Sequence, residues 1–219
     1  DAQESRGLGD VYKRQGGIAL ARAIIQEPNA LEERAMLEIA TSIEGHPDSV
    51  AAVIHGGVCL SYMDGENPHA VRVRVASDAN GRPVLRPLIM CPNRTLSTTT
   101  ARAILNPEVR RRDATHNIAR AALLVHALAE DPSHLFAATA DRLHQDERSA
   151  HMPQSVGLVH VLRSQGVPAV ISGAGPTVLV PIDAPDDIAR IVREVVEDPD
   201  GWRLARVPLA QEGIHTVLS

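Results

Sequence analysis

The feature that most constrains this chain is a change of hydrophobic period partway along it. Residues 31–43 set Leu31, Ala35, Leu37 or Ile39 and Ile43 on one stripe among Glu32, Glu33, Arg34 and Glu38, the spacing of an amphipathic helix. A helix is also expected at 17–27, stopped by Pro28-Asn29, and a short one at 50–55 before Gly56-Gly57. From Val58 the period changes. Residues 58–63 read as a buried strand and Val71-Arg72-Val73-Arg74-Val75 alternates as a half-exposed one. Residues 84–90 form a third, with Pro87 marking an edge or a strand end. Helical spacing then returns at Ser97 to Leu105, Pro107 to Leu128, Pro132 to about His144 and Pro153 to Gln165. Short apolar strands at 167–171 and 177–181 flank a glycine-rich turn, and 185–197 is a helix. Strands follow at 202–209 and 214–218. Helices, strands, helices and then a mixture make an α+β chain rather than a regular βαβ alternation. The internal boundary falls near 92–98.

Composition excludes several function classes. At 219 residues and 44% hydrophobic, the chain is too apolar to be mainly disordered. No apolar run approaches the roughly 20 residues of a membrane span. With 22 Lys+Arg against 27 Asp+Glu the net charge is −5, and only 2% of residues are aromatic. Nucleic acid is therefore not an expected partner, since neither a global pull on phosphate nor a set of stacking platforms is present. Cys59 and Cys91 belong to no CxxC and read as buried free thiols of a reducing compartment. Nothing reads as a signal peptide, so the cytoplasm is the expected location. The ten histidines show no HExxH or HxH spacing, and a structural zinc site is not expected.

Lys13 is the only lysine. It lies in Asp10-Val11-Tyr12-Lys13-Arg14-Gln15, a compositional stranger between Arg6-Gly7-Leu8-Gly9 and Gly16-Gly17-Ile18-Ala19-Leu20. This hexapeptide reads as a junction foreign to its flanks, and the missing initial Met adds the expectation of a fragment.

Three motifs have chemistry to offer. Ser172-Gly173-Ala174-Gly175-Pro176-Thr177 is a glycine-rich turn between strands, suited either to close approach of a ligand or simply to a tight reversal. Gly7-Leu8-Gly9 before a helix resembles half of a phosphate-binding loop, without the Gly-Lys-Ser/Thr of a Walker motif. Glu44-Gly45-His46-Pro47-Asp48-Ser49 gathers two carboxylates and an imidazole, for proton transfer or metal-phosphate binding, or with Asp48 or Ser49 as a plain helix cap. Arg102 and Arg148, taken alone, read as solvated surface charges.

Together these stretches resemble homoserine kinases of the GHMP small-molecule kinase superfamily. The resemblance runs through Arg6-Gly7-Leu8-Gly9, Gly16 to Ala21, Glu44 to Asp48, Ser97-Thr98 with Ala101-Arg102, and Asn117 with Arg120 to Leu124. It continues through Asp141-Arg142-Leu143-His144-Gln145 with Arg148, Met152-Pro153, and Pro168 to Thr177. It implies a two-domain GHMP kinase fold, with the later part of a ribosomal-protein-like first domain at 1–93 and a ferredoxin-like second domain at 94–219. It implies ATP-dependent phosphorylation of the L-homoserine hydroxyl in threonine biosynthesis, with Mg²⁺ as the metal.

Carried over residue by residue, Glu38 matches the metal-holding carboxylate. His46 and Asp48 match the catalytic turn beside the substrate. His46, Ser49, Thr98, Arg102 and Arg148 match substrate-binding positions, and two guanidinium groups suit a substrate carboxylate. Gly7, Leu8 and Gly9 match the nucleotide loop, and Ser172, Gly173, Ala174 and Gly175 the glycine-rich loop that packs against it. A homodimer is compatible with the resemblance.

The departures are specific. Asp10 to Gln15 stand where the family's loop continues into serines and alanines. Ser49 replaces an Asn, and Asp146-Glu147 a Pro-aromatic pair. The chain is accordingly expected to turn over poorly or not at all. With strands of its sheet lost, it is also expected to aggregate or fold poorly. Two rival readings stand beside this one: a GHMP kinase for another small alcohol, and a non-catalytic binding module on the same scaffold.

Overall fold

The computed structural model describes residues 33–214. The helix expected at 17–27, the loop Gly7-Leu8-Gly9, the hexapeptide Asp10 to Gln15 and the strand expected at 214–218 beyond Ile214 lie outside the described residues. The chain divides into two compact units, one holding the described residues 33–74 and 210–214 and the other Val75–Leu209.

In the first unit, α1 (Glu33–Glu44) buries Met36, Leu37, Ala40 and Thr41. Ile39 and Ile43, expected on the apolar stripe, are exposed. The buried face is turned because α2 (Asp48–His55) lays Val50, Ala51 and Ile54 over Met36, Leu37 and Ala40. Gly45, at φ +81°, ends α1 in the left-handed region, and its N–H donates to the Thr41 carbonyl at 2.7 Å. Neither Asp48 nor Ser49 occupies the cap position of α2, which Pro47 holds without a side-chain cap bond; the first two N–H groups of the helix are taken instead by His46 Nδ1 and Asp48 Oδ1. His55 Nδ1 lies 3.0 Å from Glu33 Oε2 and ties the end of α2 to the start of α1.

Strands β1 (Val58–Asp64) and β2 (Asn67–Val73) form an antiparallel hairpin with Leu60 opposite Val71 and Tyr62 opposite His69. Cys59 and Ala70 pack against the helices, while Leu60, Tyr62 and Val71 on the other face are exposed. The buried strand expected at 58–63 is thus covered on one face only, because among the described residues its sheet has two strands and one layer of helices. Cys59 and Cys91 are free and half-buried rather than fully buried.

The second unit holds β3 (Leu88–Pro92), β4 (Val170–Ile171), β5 (Val178–Val180) and β6 (Trp202–Arg206) in an antiparallel sheet of order β4-β5-β3-β6. Its helices are α3 (Thr98–Ala103), α4 (Arg111–Ala129), α5 (Leu135–Ala138), α6 (Pro153–Ser164) and α7 (Ile188–Val195). Strand, helices, hairpin, helix and strand along the chain, laid out in that sheet order, is the ferredoxin-like arrangement, with α6 and α7 packed together. Pro87 sits just before β3 and marks a strand end; β3 itself is central, between β5 and β6. This pairing draws β3 into the second unit, so the chain divides at 74/75 in the structure while the sequence reading puts the boundary at 93/94.

Two helices differ from expectation for local reasons. Helix α4 begins at Arg111, not Pro107, because the Asn106 N–H donates to Glu147 Oε2 at 2.8 Å and the Glu108 N–H to Asn106 Oδ1 at 3.0 Å. Side-chain acceptors of this kind compete with helix formation. The helix expected to reach His144 stops at Ala138, and the carboxylate responsible is described below. None of the described helices is long and apolar enough to cross a membrane.

The second unit's core gathers Met90, Leu158, Leu162, Val178, Val180 and Ile191 between the sheet and α6 and α7. Met90→Ala is expected to lower unfolding stability by about 2–5 kcal/mol in urea titration. Val109→Ala, at an exposed position, is expected to change it by less than about 0.5 kcal/mol.

Candidate functional site

The first unit carries the sequence-predicted carboxylates. Glu38 is exposed on α1 and pairs with Arg34 one turn earlier, Nε to Oε1 at 3.0 Å. It lines a depression of about 530 Å³ between the α1 face of Glu38, Thr41, Ser42 and Gly45 and the tip of the β1–β2 hairpin. His46, Asp48 and Ser49 sit in the turn and first residues of α2, and they do not line that depression. His46 Nδ1 lies 3.4 Å from Asp48 Oδ2, and the Asp48 N–H donates to the same nitrogen at 3.4 Å. Asp48 Oδ1 accepts the Ser49 N–H at 2.6 Å. The two side chains leave an exposed carboxylate held beside an imidazole.

The second unit carries the arginines and the glycine-rich turn. Ser97 caps α3, its Oγ accepting the Thr100 N–H at 3.0 Å, and Thr98 is the first residue of that helix. Arg102 lies exposed in the last turn of α3. Arg148 is different: the residue is only 7% exposed. Its Nε donates to the Ala101 carbonyl at 3.0 Å and its Nη1 to the Gly173 carbonyl at 3.2 Å. The expectation of a solvated arginine at 148 is therefore corrected. The guanidinium is a tether between α3 and the glycine-rich turn, because two orphan carbonyls in one buried corner call for a planar donor fork. Burial pushes the Arg148 pKa down, Asp141 opposes that, and the charge of Arg102 adds to it. A guanidinium stays ionised regardless, so two like charges face this corner.

The turn is held from several sides. The Ser172 N–H donates to the Thr177 carbonyl at 2.8 Å and the Gly175 N–H to the Ser172 carbonyl at 3.0 Å. Ser155, buried on α6, donates its Oγ to the Pro176 carbonyl at 2.6 Å. Gly175 has φ +86°, and a Cβ there would come within 2.7 Å of Met152 Sδ and 3.0 Å of Ile171 Cγ2. Glycine is required by both its backbone angle and its space. The N–H groups of Gly173 and Ala174 have no hydrogen-bond partner among the described residues. Successive open N–H groups beside two guanidinium charges are a setting for an anion.

Sequence reasoning quoted Asn117 and the run Asp141 to Gln145 without giving them a role. Asp141 accepts from Asn117 Nδ2 at 2.7 Å, from the His144 N–H at 2.8 Å and from the Gln145 N–H at 2.8 Å, with His144 Nδ1 at 2.9 Å. The Arg142 N–H donates to Asn117 Oδ1 at 3.0 Å. These bonds consume the donors a continuing helix would need and end the helical stretch. Gln145 Oε1 accepts the Ile171 N–H at 2.7 Å, so the loop grips β4 directly before the glycine-rich turn. A short helical turn at Asp146–Arg148 then delivers Arg148. The signal available in sequence was an Asp-x-x-His-Gln run amid apolar helices, but its partner Asn117 lies 24 residues away.

Burial raises the Asp141 pKa, yet the bonds from His144, the Gln145 N–H, Asn117 and the His144 N–H outweigh it and hold the carboxyl well below the usual range. The Asp141 bond raises the His144 pKa against the opposing effect of burial. The Asp141 contribution to stability is present above about pH 4 and lost on acidification. The His144 contribution is full below about pH 6.5 and lost as pH rises through its raised value. NMR titration should place His144 above its ordinary value in the wild type, and Asp141→Asn should bring it back. Gly175→Ala is expected to cost about 1–3 kcal/mol in urea titration, the usual price of a left-handed non-glycine residue.

Comparison with known proteins gives this geometry a context. Residues 119–199 match the family described as GHMP kinases C terminal. The homoserine kinase of Streptomyces avermitilis is 44% identical over 212 residues, 95% of this chain and 66% of that protein. The homoserine kinase of Streptomyces coelicolor is 45% identical over 210 residues, 95% of this chain and 65% of that protein. The chain thus spans just under two thirds of the length of these curated relatives. Among solved structures, homoserine kinase from Cytophaga hutchinsonii superposes with a TM-score of 0.77 at 20% identity, over 94% of this chain and 66% of that one. L. major mevalonate kinase in complex with R-mevalonate superposes with a TM-score of 0.55 at 15% identity, over 91% of this chain and 63% of that one. The chain thus carries the C-terminal domain of the GHMP kinases and, along 95% of its length, is similar to homoserine kinases.

Proposed function

We propose that this chain serves the transfer of the γ-phosphoryl group of ATP to the side-chain hydroxyl of L-homoserine, in threonine biosynthesis in the cytoplasm. The observation that carries the reading is the Arg148 tether, which joins the Arg102 helix to a turn with two open N–H groups. The unit that ends at Arg74 serves as the nucleotide-binding part and the unit Val75–Leu209 as the second domain, and a homodimer is the assembly to test by light scattering.

In this reading the substrate carboxylate is bound by exposed Arg102, with Thr98 on the same helix. Arg148 has two of its donors committed to carbonyls and so acts first as a positioning residue. The N–H groups of Gly173 and Ala174 face phosphate. Gly7, Leu8 and Gly9 are read as phosphate-binding from the motif resemblance alone.

Asp48 accepts a hydrogen bond from the substrate hydroxyl, with His46 orienting it and Ser49 beside it. The hydroxyl oxygen forms the new bond to phosphorus as the bond to the β-phosphate oxygen breaks, and the hydroxyl proton leaves toward the carboxylate or solvent. Such a transfer depends on positioning and charge neutralisation more than on covalent help from the protein.

Glu38 fits Mg²⁺. Among the described residues no group of three His, Cys, Asp or Glu could hold a metal. One carboxylate beside a polar depression suits an ion that keeps its waters and is completed by phosphate. Held there by Glu38, such an ion would supply charge neutralisation at the phosphates.

Asp10 stands where the family has the first residue after Gly-Leu-Gly, and its charge opposes phosphate. Turnover by this chain is therefore low. A coupled ADP-release assay over homoserine, mevalonate and galactose tests the reading, paired with calorimetric binding of each alcohol. The expected result is binding selective for homoserine, with Arg102→Ala weakening it about tenfold or more for a lost charged hydrogen bond. Selective binding of another alcohol sinks the assignment. Homoserine binding that stays without phosphoryl transfer after residues 10–15 are replaced by serines and alanines favours the binding-module reading.

A further inference from the structure

Asp146-Glu147 is one of the places where the chain departs from the family pattern, and both side chains are engaged in the fold. They open the short helical turn Asp146–Arg148. Asp146 Oδ1 lies 2.9 Å from His160 Nε2 on α6. Glu147 Oε2 accepts the Asn106 N–H at 2.8 Å, while Arg148 Nε donates to the Ala101 carbonyl at 3.0 Å. Two neighbouring side chains therefore grip the two ends of one stretch, Ala101 to Asn106.

That stretch carries Arg102. Its helix, α3, has six residues, too few to keep a shape by its own hydrogen bonds. The bonds that close its last turn, Ile104 N–H to the Thr100 carbonyl at 3.2 Å and Leu105 N–H to the Arg102 carbonyl at 3.3 Å, stand at the long end of the usual range. The next N–H along the chain is that of Asn106, the one Glu147 takes. The Arg102 guanidinium, by contrast, is exposed and has no hydrogen bond or ion pair among the described residues. An open head group on a backbone held from both sides is the arrangement of a preorganised binding residue.

We propose that Glu147 is a positioning residue for Arg102: by holding the Asn106 N–H it fixes the last turn of α3, and with it the direction from which Arg102 meets the substrate carboxylate. The proposal rests on the reading of Arg102 given above. Arg148 secures the near end of the stretch and Glu147 the far end. Released from Glu147, the last turn frays, and Arg102 must be ordered at the moment of binding, which opposes binding.

The test follows L-homoserine binding by calorimetry and folding by thermal melt, with the whole chain and the variants Glu147→Ala, Glu147→Gln, Arg102→Ala and Glu147→Ala with Arg102→Ala. Glutamine keeps an oxygen acceptor for the Asn106 N–H. Glu147 is exposed, so Glu147→Ala is expected to melt within about 4 °C of the wild type, the size of one lost hydrogen bond. It should weaken homoserine binding about three- to tenfold, with Glu147→Gln within about twofold of the wild type. In the Arg102→Ala background Glu147→Ala should change nothing further, because the two residues act through one contact. A merely structural role would weaken binding by the same factor with or without Arg102. That additive result, unchanged binding in Glu147→Ala, or a Glu147→Ala chain that does not fold overturns the Glu147 proposal and leaves the Arg102 reading standing. If the wild type binds no homoserine, or Arg102→Ala binds it like the wild type, both are overturned.

Discussion

The second unit depends on one buried cation. Arg148 donates from one planar group to the end of a helix turn at Ala101 and to the glycine-rich turn at Gly173. Without it, two carbonyls in a closed corner would lack donors, and nothing else described would fix α3 against the turn. A lysine could not substitute, since a single ammonium lacks the fork that spans two acceptors. The burial of a charge is tolerated because Asp141 lies near enough to favour the ionised form.

Asp141 is the second constraint, acting one step earlier in the chain. By collecting donors from Asn117, His144 and Gln145 it converts what periodicity reads as helix into an ordered loop. That loop fastens β4 through Gln145 and leads straight into Arg148. The network ties α4, the loop and the sheet together, so that a carboxylate with no expected part in chemistry governs where the arginine lies. Local bonding has beaten helix propensity here, as it also has at Asn106 and Glu108 before α4.

The first unit is organised by packing rather than by a polar network. Among the described residues its helices bury a small cluster, and its hairpin exposes Leu60, Tyr62 and Val71. Glu38 and the His46–Asp48 pair are exposed on this frame, held by short-range contacts to Arg34 and to each other. Among the described residues of this unit, Thr41 keeps a buried hydroxyl without a hydrogen-bond partner.

Much was legible from residues alone. Periodicity located α1, α2 and α6 and the strands at 58–64, 88–92, 178–180 and 202–206, because each carries its own local signal of spacing, proline or glycine. The motif resemblance pointed to homoserine kinases, and the curated relatives are homoserine kinases. What the chain could not reveal by itself was every feature set by distant partners. The rotation of α1 depends on Val50 and Ile54, the central place of β3 on β5 and β6, and the end of the helix before Asp141 on Asn117. Arg148 reads as a surface charge in sequence, because burial is a property of neighbours 25 and 47 residues away. Spacing thus marked most of the helices and strands, and the motifs carried the family resemblance. Tertiary contact decided which polar groups are tethers, which stay open to a ligand, and which face of each element is inside.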